Sequence, residues 1–500
     1  MTAPDARAEE DTESAKSAED TEDAEDADDL DVEEALALVN EASGRTPGRA
    51  SGTPGRTPGR ASGTPGRAPG HVPSEHRPRR HGVPWTEARA IAEHAGRNGT
   101  GGRATRRTRV APVSVPLDSA LGLTLAAPLT ALTDLPSFDT SAMDGWAVSG
   151  PGPWTVREEG VLAGHAARTP LTDGEAVRIA TGARVPPETT AVLRSEHGRT
   201  DAKGRLHAAA PRGTGTARAG HTATVAHGQD IRPRGQECRS GDQLLSAGTL
   251  VTPAVLGLAA AAGYDILSAF PRPRVEVLVL GDELLTGGLP HDGLIRDALG
   301  PMLPPWLRAL GAEVTAVRRV RDDARTLHKA ITTSDADLVV TTGGTAAGPV
   351  DHVHPTLSRI GAELLVDGVD VRPGHPMLLA RTKENQHLVG LPGNPLAAVS
   401  GLLTLAEPLL RALAARPAPE PYTMPLRDAV QGHPHDTRLI PVVLRGDIAL
   451  PLHYNGPAML RGIAAADALA VVPPGGTRPR QETELLDLPW ASGGIGVCFT

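Results

Sequence analysis

The sequence predicts a multidomain protein of α/β and β parts, and three observations predict it. Within 275–395, three apolar runs each end in a polar, glycine-rich turn. Five hundred residues exceed one ordinary domain. Short alternating segments broken by Gly and Pro fill 145–227, and strand-like runs return after 421. The first observation implies a parallel sheet with helices between its strands and a site along their carboxyl edge. The last implies two smaller β domains.

The first run, 275–280 (VEVLVL), is followed at once by Gly281, Asp282 and Glu283. A buried strand there delivers two carboxylates to its carboxyl end, where they are costly unless solvated or bound to a cation. The run 337–342 (DLVVTT) leads into Gly343, Gly344 and Thr345, and 387–391 (HLVGL) into Pro392, Gly393, Asn394 and Pro395. The αβ domain spans about 271–416.

Ahead of it, residues 1–39 are dominated by Asp, Glu, Ala and Ser, too charged to repay the entropy of ordering. The eleven residues 44–54 repeat at 55–65, and basic residues follow to Arg80. That period is too short for a solenoid, and such Gly and Pro content prevents helix and sheet alike. The first 82 residues are therefore expected to be a tail, acidic and then Gly/Pro/Arg-rich, which binds an unknown partner or solvates the protein. An amphipathic helix is expected at 84–94, and an Ala-rich helix at 255–263 with Gly263 as its C′ glycine. Beyond 417–421 (PAPEP), the runs 439–444 and 468–472 predict a small C-terminal β domain.

Composition narrows the function classes. Aromatics are 2% of the chain and the net charge is −9, which argues against nucleic-acid binding by base stacking. Cys238 and Cys498 form neither a disulfide framework nor a metal-ligand spacing. No stretch is expected to approach the ~18 to 20 apolar residues of a membrane span, and the acidic amino terminus is unlike a signal peptide. A cytoplasmic protein without membrane contact is expected.

Five motifs occur in one order: Ser141-Ala142-Met143-Asp144-Gly145; Thr181-Gly182-Ala183 with Pro186; Ile231-Arg232 with Gly235-Gln236-Glu237 and Gly241; Gly281-Asp282-Glu283-Leu284; and 391–395 (LPGNP). With them the chain resembles, over about 84–488, the molybdopterin molybdenumtransferases, bacterial relatives of the C-terminal part of gephyrin. The resemblance implies an elongated scaffold in two segments (83–131 and 228–270), an inserted β lid (132–227), the molybdopterin-binding αβ domain (271–416) and a C-terminal β-barrel-like domain (417–490), with a short tail at 491–500. It implies a homodimer with the site between one subunit's lid and the other's αβ domain. The implied reaction inserts molybdate into adenylylated molybdopterin and releases AMP, assisted by a divalent cation, usually Mg2+.

Such chemistry needs a hard cation held by carboxylates, donors for phosphates and a pocket for a tetrahedral dianion. Under the resemblance Asp144 is catalytic at the nucleotide end, unless it only closes an Asx turn; Thr181 and Gly182 bind the cofactor beside it. Glu283 is the metal or water-positioning group, and Asp282 is a ligand or a helix cap. Asp322 and Asp323 cap the next helix or meet magnesium-bound phosphate, with Asp323 taken as a metal ligand. Gly343, Gly344, Thr345 and Gly348 offer backbone donors to the pterin phosphate, with Asp351 catalytic near the same anhydride. Pro392, Gly393 and Asn394 turn before a helix whose N-terminus favours an anion. Either glycine turn is also explained as merely structural.

Several positions depart from the family pattern. Val279-Leu280 replaces Ser-Thr, Asp297-Ala298-Leu299 replaces Asp-Ser-Asn, and Pro349 stands where an acid is usual. The basic Lys-Pro-Gly-Lys-Pro is here Arg372-Pro373-Gly374-His375-Pro376, both cationic positions being cofactor-binding, and Ala397 replaces a serine. Arg372 keeps the charge, whereas His375 is only partly protonated near neutral pH, so weaker molybdate binding or a changed role is expected. Arg438, Asn455, Gly456, Arg461 and Asp467 resemble positions at the pocket edge. A molybdopterin adenylyltransferase and a non-catalytic pterin-binding or scaffold paralogue remain the alternatives.

Overall fold

Buried β-branched runs alternating with helices build a six-stranded sheet at the heart of the αβ region. The computed structural model describes residues 82–97, 111–164, 169–209, 224–345 and 351–490. The expected tails (all but Gly82 of the first) and Gly348 lie outside the described residues. Arg274–Leu280 is buried over six of its seven residues. It pairs in parallel with Glu313–Val320 on one side and Leu338–Thr342 on the other, and Leu338–Thr342 pairs in parallel with Gln386–Leu391.

The sheet is not wholly parallel, as the sequence had suggested. Leu378–Lys383 pairs antiparallel with Gln386–Leu391, and Glu363–Asp367 antiparallel with Leu378–Lys383. The cause is local: only Glu384 and Asn385 link Leu378–Lys383 to Gln386–Leu391. A link that short closes a hairpin, whereas parallel neighbours need a crossover of about a dozen residues.

One helical run, Pro395–Leu413, is long and apolar enough by length and composition to cross a membrane, which corrects the expectation that no stretch approached that length. Of its most apolar window, 78% is buried inside the protein, as befits a core helix. It packs against Trp85–Arg97, whose Trp85 indole donates to Thr404 Oγ1 at 3.1 Å and whose Arg89 lies 3.5 Å from Glu407. The amphipathic helix foreseen at 84–94 therefore rests on the αβ core, although the scaffold had been expected to begin at 83. Val83–Pro84 extends the same attachment by pairing in parallel with Val369–Arg372.

Val369–Arg372 in turn pairs in parallel with Thr437–Arg445, opening a second sheet of seven strands. In order these are Val83–Pro84, Val369–Arg372, Thr437–Arg445, Ala468–Val472, Glu482–Asp487 and Tyr422–Pro425, with Ile448–Pro451 also on Thr437–Arg445.

Residues 113–270 carry four further sheets among the described residues, two of them only two-stranded. Val113–Pro116, Ile266–Phe270 and Thr124–Leu125 form a three-stranded sheet beside the helix Pro253–Ala261. Thr252 caps that helix by accepting from Val255 N at 3.3 Å, and Gly263 follows it at φ +100°. Between them in sequence lies a six-stranded sheet in the order Gly198–Thr200, Arg205–Ala208, Trp154–Val161, Glu175–Ile179, Gly145–Val148 and Ala191–Arg194. Gly145 pairs with Arg194 there, and a Cβ on it would lie 2.0 Å from the Leu193 carbonyl oxygen. Gly145→Ala is accordingly expected to force these paired strands apart and cost about 3 kcal/mol or more. Urea denaturation would register it; an unchanged midpoint would refute the close approach.

Candidate active site

The predicted site residues fall into three groups. The first is in the six-stranded sheet of 145–208. Ser141 Oγ donates to Met143 O at 2.6 Å and Gly182 N to Ser141 O at 2.8 Å, tying the turn before Gly145–Val148 to the turn at 181–183. Asp144 projects from the first turn, and its Oδ1 accepts from Thr181 N at 2.7 Å and Thr181 Oγ1 at 2.9 Å. The Thr181 amide, and then its hydroxyl, hold the Asp144 carboxyl below the usual carboxylate range. An exposed, ionised oxygen pair is thus fixed at the mouth of a cavity of about 330 Å³.

The second group lines the carboxyl edge of the central sheet. Gly281, at φ +132°, turns the chain out of Arg274–Leu280, and Asp282 and Glu283 follow, both exposed. Asp282 N donates to Asp322 Oδ2 at 3.3 Å, which ties together the turns that follow two adjacent parallel strands. Asp323 takes the capping role, one of the two expected of it. It is the N-cap of Ala324–Thr333, with Oδ2 accepting from Thr326 Oγ1 at 2.6 Å and Thr326 N at 2.8 Å. That hydroxyl and amide lower its pKa, as a cap should.

Asp351 is likewise engaged within its own helix turn. Oδ1 accepts from Val353 N at 2.9 Å, and Oδ2 meets His354 Nδ1 at 2.8 Å, while His354 Nε2 meets Asp367 Oδ1 at 2.8 Å. Burial lowers the His354 pKa, yet the bonds to Asp367 and then Asp351, with their charges, leave it raised above the imidazole value. Neither His354 nor Asp367 had been singled out. A residue three positions after Asp351 is visible in a helix pattern; the Asp367 contact, across the fold, is not.

Gly343 and Gly344 adopt φ +80° and +65°, a conformation that favours glycine. Gly343 N donates to Leu391 O at 2.8 Å, so this expected phosphate donor is already used. A Cβ at Gly344 would meet Val353 at 3.1 Å, and one at Gly393 would lie 3.7 Å from Gly343 Cα, so the two glycine turns adjoin. Thr345 is buried.

The third group encloses a cavity of about 350 Å³ between the αβ core and the seven-stranded sheet, lined by Arg372, His375, Pro392, Asn394, Arg438 and Asn455, among others. Strand register creates it: Arg372 is the direct partner of Arg438. Arg372 Nε donates to the buried Asp436 carboxylate at 2.7 Å, and Arg438 lies 3.4 Å from Asn455 Oδ1. Each guanidinium has five N–H donors, so donors remain for an oxyanion. His375 Nδ1 is 2.7 Å from Val369 O.

The expected contribution of the helix N-terminus is absent here. Leu396 N and Ala397 N both donate to Pro457 O, at 2.9 and 3.2 Å, so these backbone donors are already used. Arg438 and Asn455 had been placed only at the pocket edge, because nothing local in sequence announces a parallel pairing with Arg372. Arg461 donates to Tyr454 OH at 2.8 Å and stacks 4.4 Å from that ring, and Asp467 accepts from Leu444 N at 2.9 Å.

The donors at the sheet edge are oxygens alone. Among the described residues no three acidic, His or Cys groups converge as a self-sufficient metal cage. A hard cation that takes one or two carboxylates and completes its shell from substrate phosphates and water fits such an edge.

Comparison with known proteins matches this layout region by region. Residues 83–263 match "MoeA N-terminal region (domain I and II)", 276–412 match "Probable molybdopterin binding domain", and 423–484 match "MoeA C-terminal region (domain IV)". Over 384 residues the chain is 34% identical to molybdopterin molybdenumtransferase 2 of Mycobacterium tuberculosis, covering 72% of this chain and 91% of that protein. Over 400 residues it is 28% identical to the molybdopterin molybdenumtransferase of Staphylococcus aureus, covering 75% and 90%. The molybdopterin biosynthesis MoeA protein from Pyrococcus horikosii shares the fold, with a TM-score of 0.64 at 24% identity over 81% of this chain and 99% of that one. Three successive regional matches, and 34% identity across 91% of a relative's length, establish that this chain belongs to the molybdopterin molybdenumtransferase family.

Proposed function

We propose that this protein inserts molybdate into adenylylated molybdopterin and releases AMP, a step of molybdenum cofactor biosynthesis. The observation that carries the reading is the side-by-side pairing of Arg372 and Arg438 on one cavity, which suits a tetrahedral dianion. His375, Asn394 and Asn455 complete its polar wall. The adjoining turns at 343–344 and 392–394 are assigned to the pterin phosphate, and Thr181 and Gly182 to the nucleotide end. Asp144 is ionised there by its Thr181 hydrogen bonds and acts on the anhydride.

Mg2+ is the proposed cation, held by Asp282 and Glu283 with Asp322 beside them. When bound it neutralises charge on the anhydride phosphates. Asp323 and Asp351 act in support, the first starting a helix and the second, with His354, anchoring the segment after the glycine turn. The lid cavity at Asp144 and the Arg372–Arg438 cavity share no lining residue. A homodimer that sets one subunit's lid over the other's αβ domain would unite them, and we propose that arrangement.

The test is incubation of the protein with adenylylated molybdopterin, Mg2+ and molybdate. AMP release matched by molybdenum incorporation is the expected result. ATP consumption with pyrophosphate release would identify an adenylyltransferase instead, and pterin binding without turnover a scaffold.

A further inference from the structure

The cavity carrying Arg372 and Arg438 holds one group whose charge is not fixed. His375 lies on a loop set by three backbone hydrogen bonds, Val369 N to His375 O at 2.9 Å, Gly368 N to Met377 O at 3.0 Å and Met377 N to Gly374 O at 3.1 Å. Its ring packs where a Cβ at Gly368 would be 3.7 Å from Nε2.

The contact to Val369 O determines where protons sit. A carbonyl oxygen only accepts, so at 2.7 Å Nδ1 must carry hydrogen in every protonation state. A neutral His375 then has its lone pair on Nε2, which makes no hydrogen bond among the described residues. In that form the ring adds no charge to the cavity and brings an acceptor to an anion made of acceptors. A second proton has one place to go, Nε2, and it turns the ring into a third cation beside two arginines. Imidazole is the side chain whose charge changes between about pH 5 and 8.

The other ionisable groups around the ring are accounted for. Arg372 and Arg438 stay charged throughout that range. Asp436 is paired with Arg372 at 2.7 Å. Asp370, on the neighbouring strand, accepts from Gly82 N at 3.0 Å. His433, behind Asp436, uses Nδ1 to accept from Asp436 N at 3.0 Å, with the His435 ring edge-on to it at 6.4 Å. The helix that starts after Asn394 presents only neutral groups to the cavity.

We propose that capture of a tetrahedral oxyanion in this cavity is coupled to uptake of one proton at Nε2 of His375. The inference rests on reading the cavity as the oxyanion site. It makes His375 a proton-dependent affinity determinant where a lysine would give constant charge. Once His375 is neutral in the free protein, affinity falls about tenfold per pH unit, the slope that linkage gives for one proton.

The experiment is calorimetric titration of the full chain with sodium sulfate and with sodium molybdate from pH 6 to 9. Two buffers of different ionisation enthalpy at each pH give the number of protons taken up. For wild type, uptake should rise towards one with pH while Kd weakens, for both anions. His375→Lys should bind with no uptake and a flat Kd, and His433→Gln should retain the wild-type uptake. Anion binding without proton uptake in wild type, uptake persisting in His375→Lys, or uptake lost in His433→Gln would each overturn the coupling and leave the oxyanion site standing. Absence of binding at every pH would overturn the site itself, and the coupling with it.

Discussion

Asp144→Asn is expected to lower AMP release by about 100-fold or more while leaving the fold intact, the usual order of loss when one charged group at a reaction centre is removed. Asparagine keeps an oxygen for the Thr181 amide and hydroxyl, which now bond Asp144 at 2.7 and 2.9 Å, so the turn stays closed and only the charge is lost. Because the side chain is exposed, the urea midpoint should stay within about 0.5 kcal/mol of wild type. Thr181→Val keeps the charge but removes one of the two bonds that aim it, and a smaller loss is expected. A fully active, normally folded Asp144→Asn protein would remove this residue from the chemistry.

Acid should destabilise the αβ core through His387. This residue is second in the fully buried strand Gln386–Leu391, and neither ring nitrogen has a hydrogen-bond partner. Burial, with the nearby Arg381 charge, pushes its pKa down to about 4. Unfolded chains protonate the same imidazole near 6.5, so between those values the unfolded state binds more protons. Stability is whole above about pH 6.5 and falls as pH drops towards 4, by about 3 kcal/mol in all. His387→Leu removes the titration and two unsatisfied polar atoms, and should add about 1–2 kcal/mol at pH 7. Urea midpoints of both proteins at pH 7 and pH 5 decide it: the wild type should lose more on acidification, and parallel losses would show that His387 is not responsible.

Legibility of this protein in its sequence follows the range of the interactions. Strands 274–280, 338–342 and 386–391 were visible because burial on both faces writes continuous apolar runs. The turns after them were visible because Gly and paired carboxylates are local signals. The antiparallel hairpin was missed, although Glu384 and Asn385 marked it. For Asp323 the sequence offers both a helix cap and a metal ligand, and Thr326 three residues on, in a plain capping spacing, is the local signal that favours the cap. What no local pattern could reveal was Arg438 against Arg372, or Pro457 taking the helix N–H groups, since both depend on how two sheets meet.

The pairing of Val83–Pro84 with Val369–Arg372 also governs the order in which the chain can assemble. The Gly82 to Asp370 bond closes across 288 residues, so the opening strand leaves the ribosome long before its neighbour has been synthesised. The stretch between is under no such delay, because Val113–Pro116 and Ile266–Phe270 pair with each other and seal it at both ends. Residues 113–270 can thus mature as a closed loop while Trp85–Arg97 waits, its apolar side uncovered, for Pro395–Leu413 to arrive. Any helper that shields nascent chains would be needed for that helix above all.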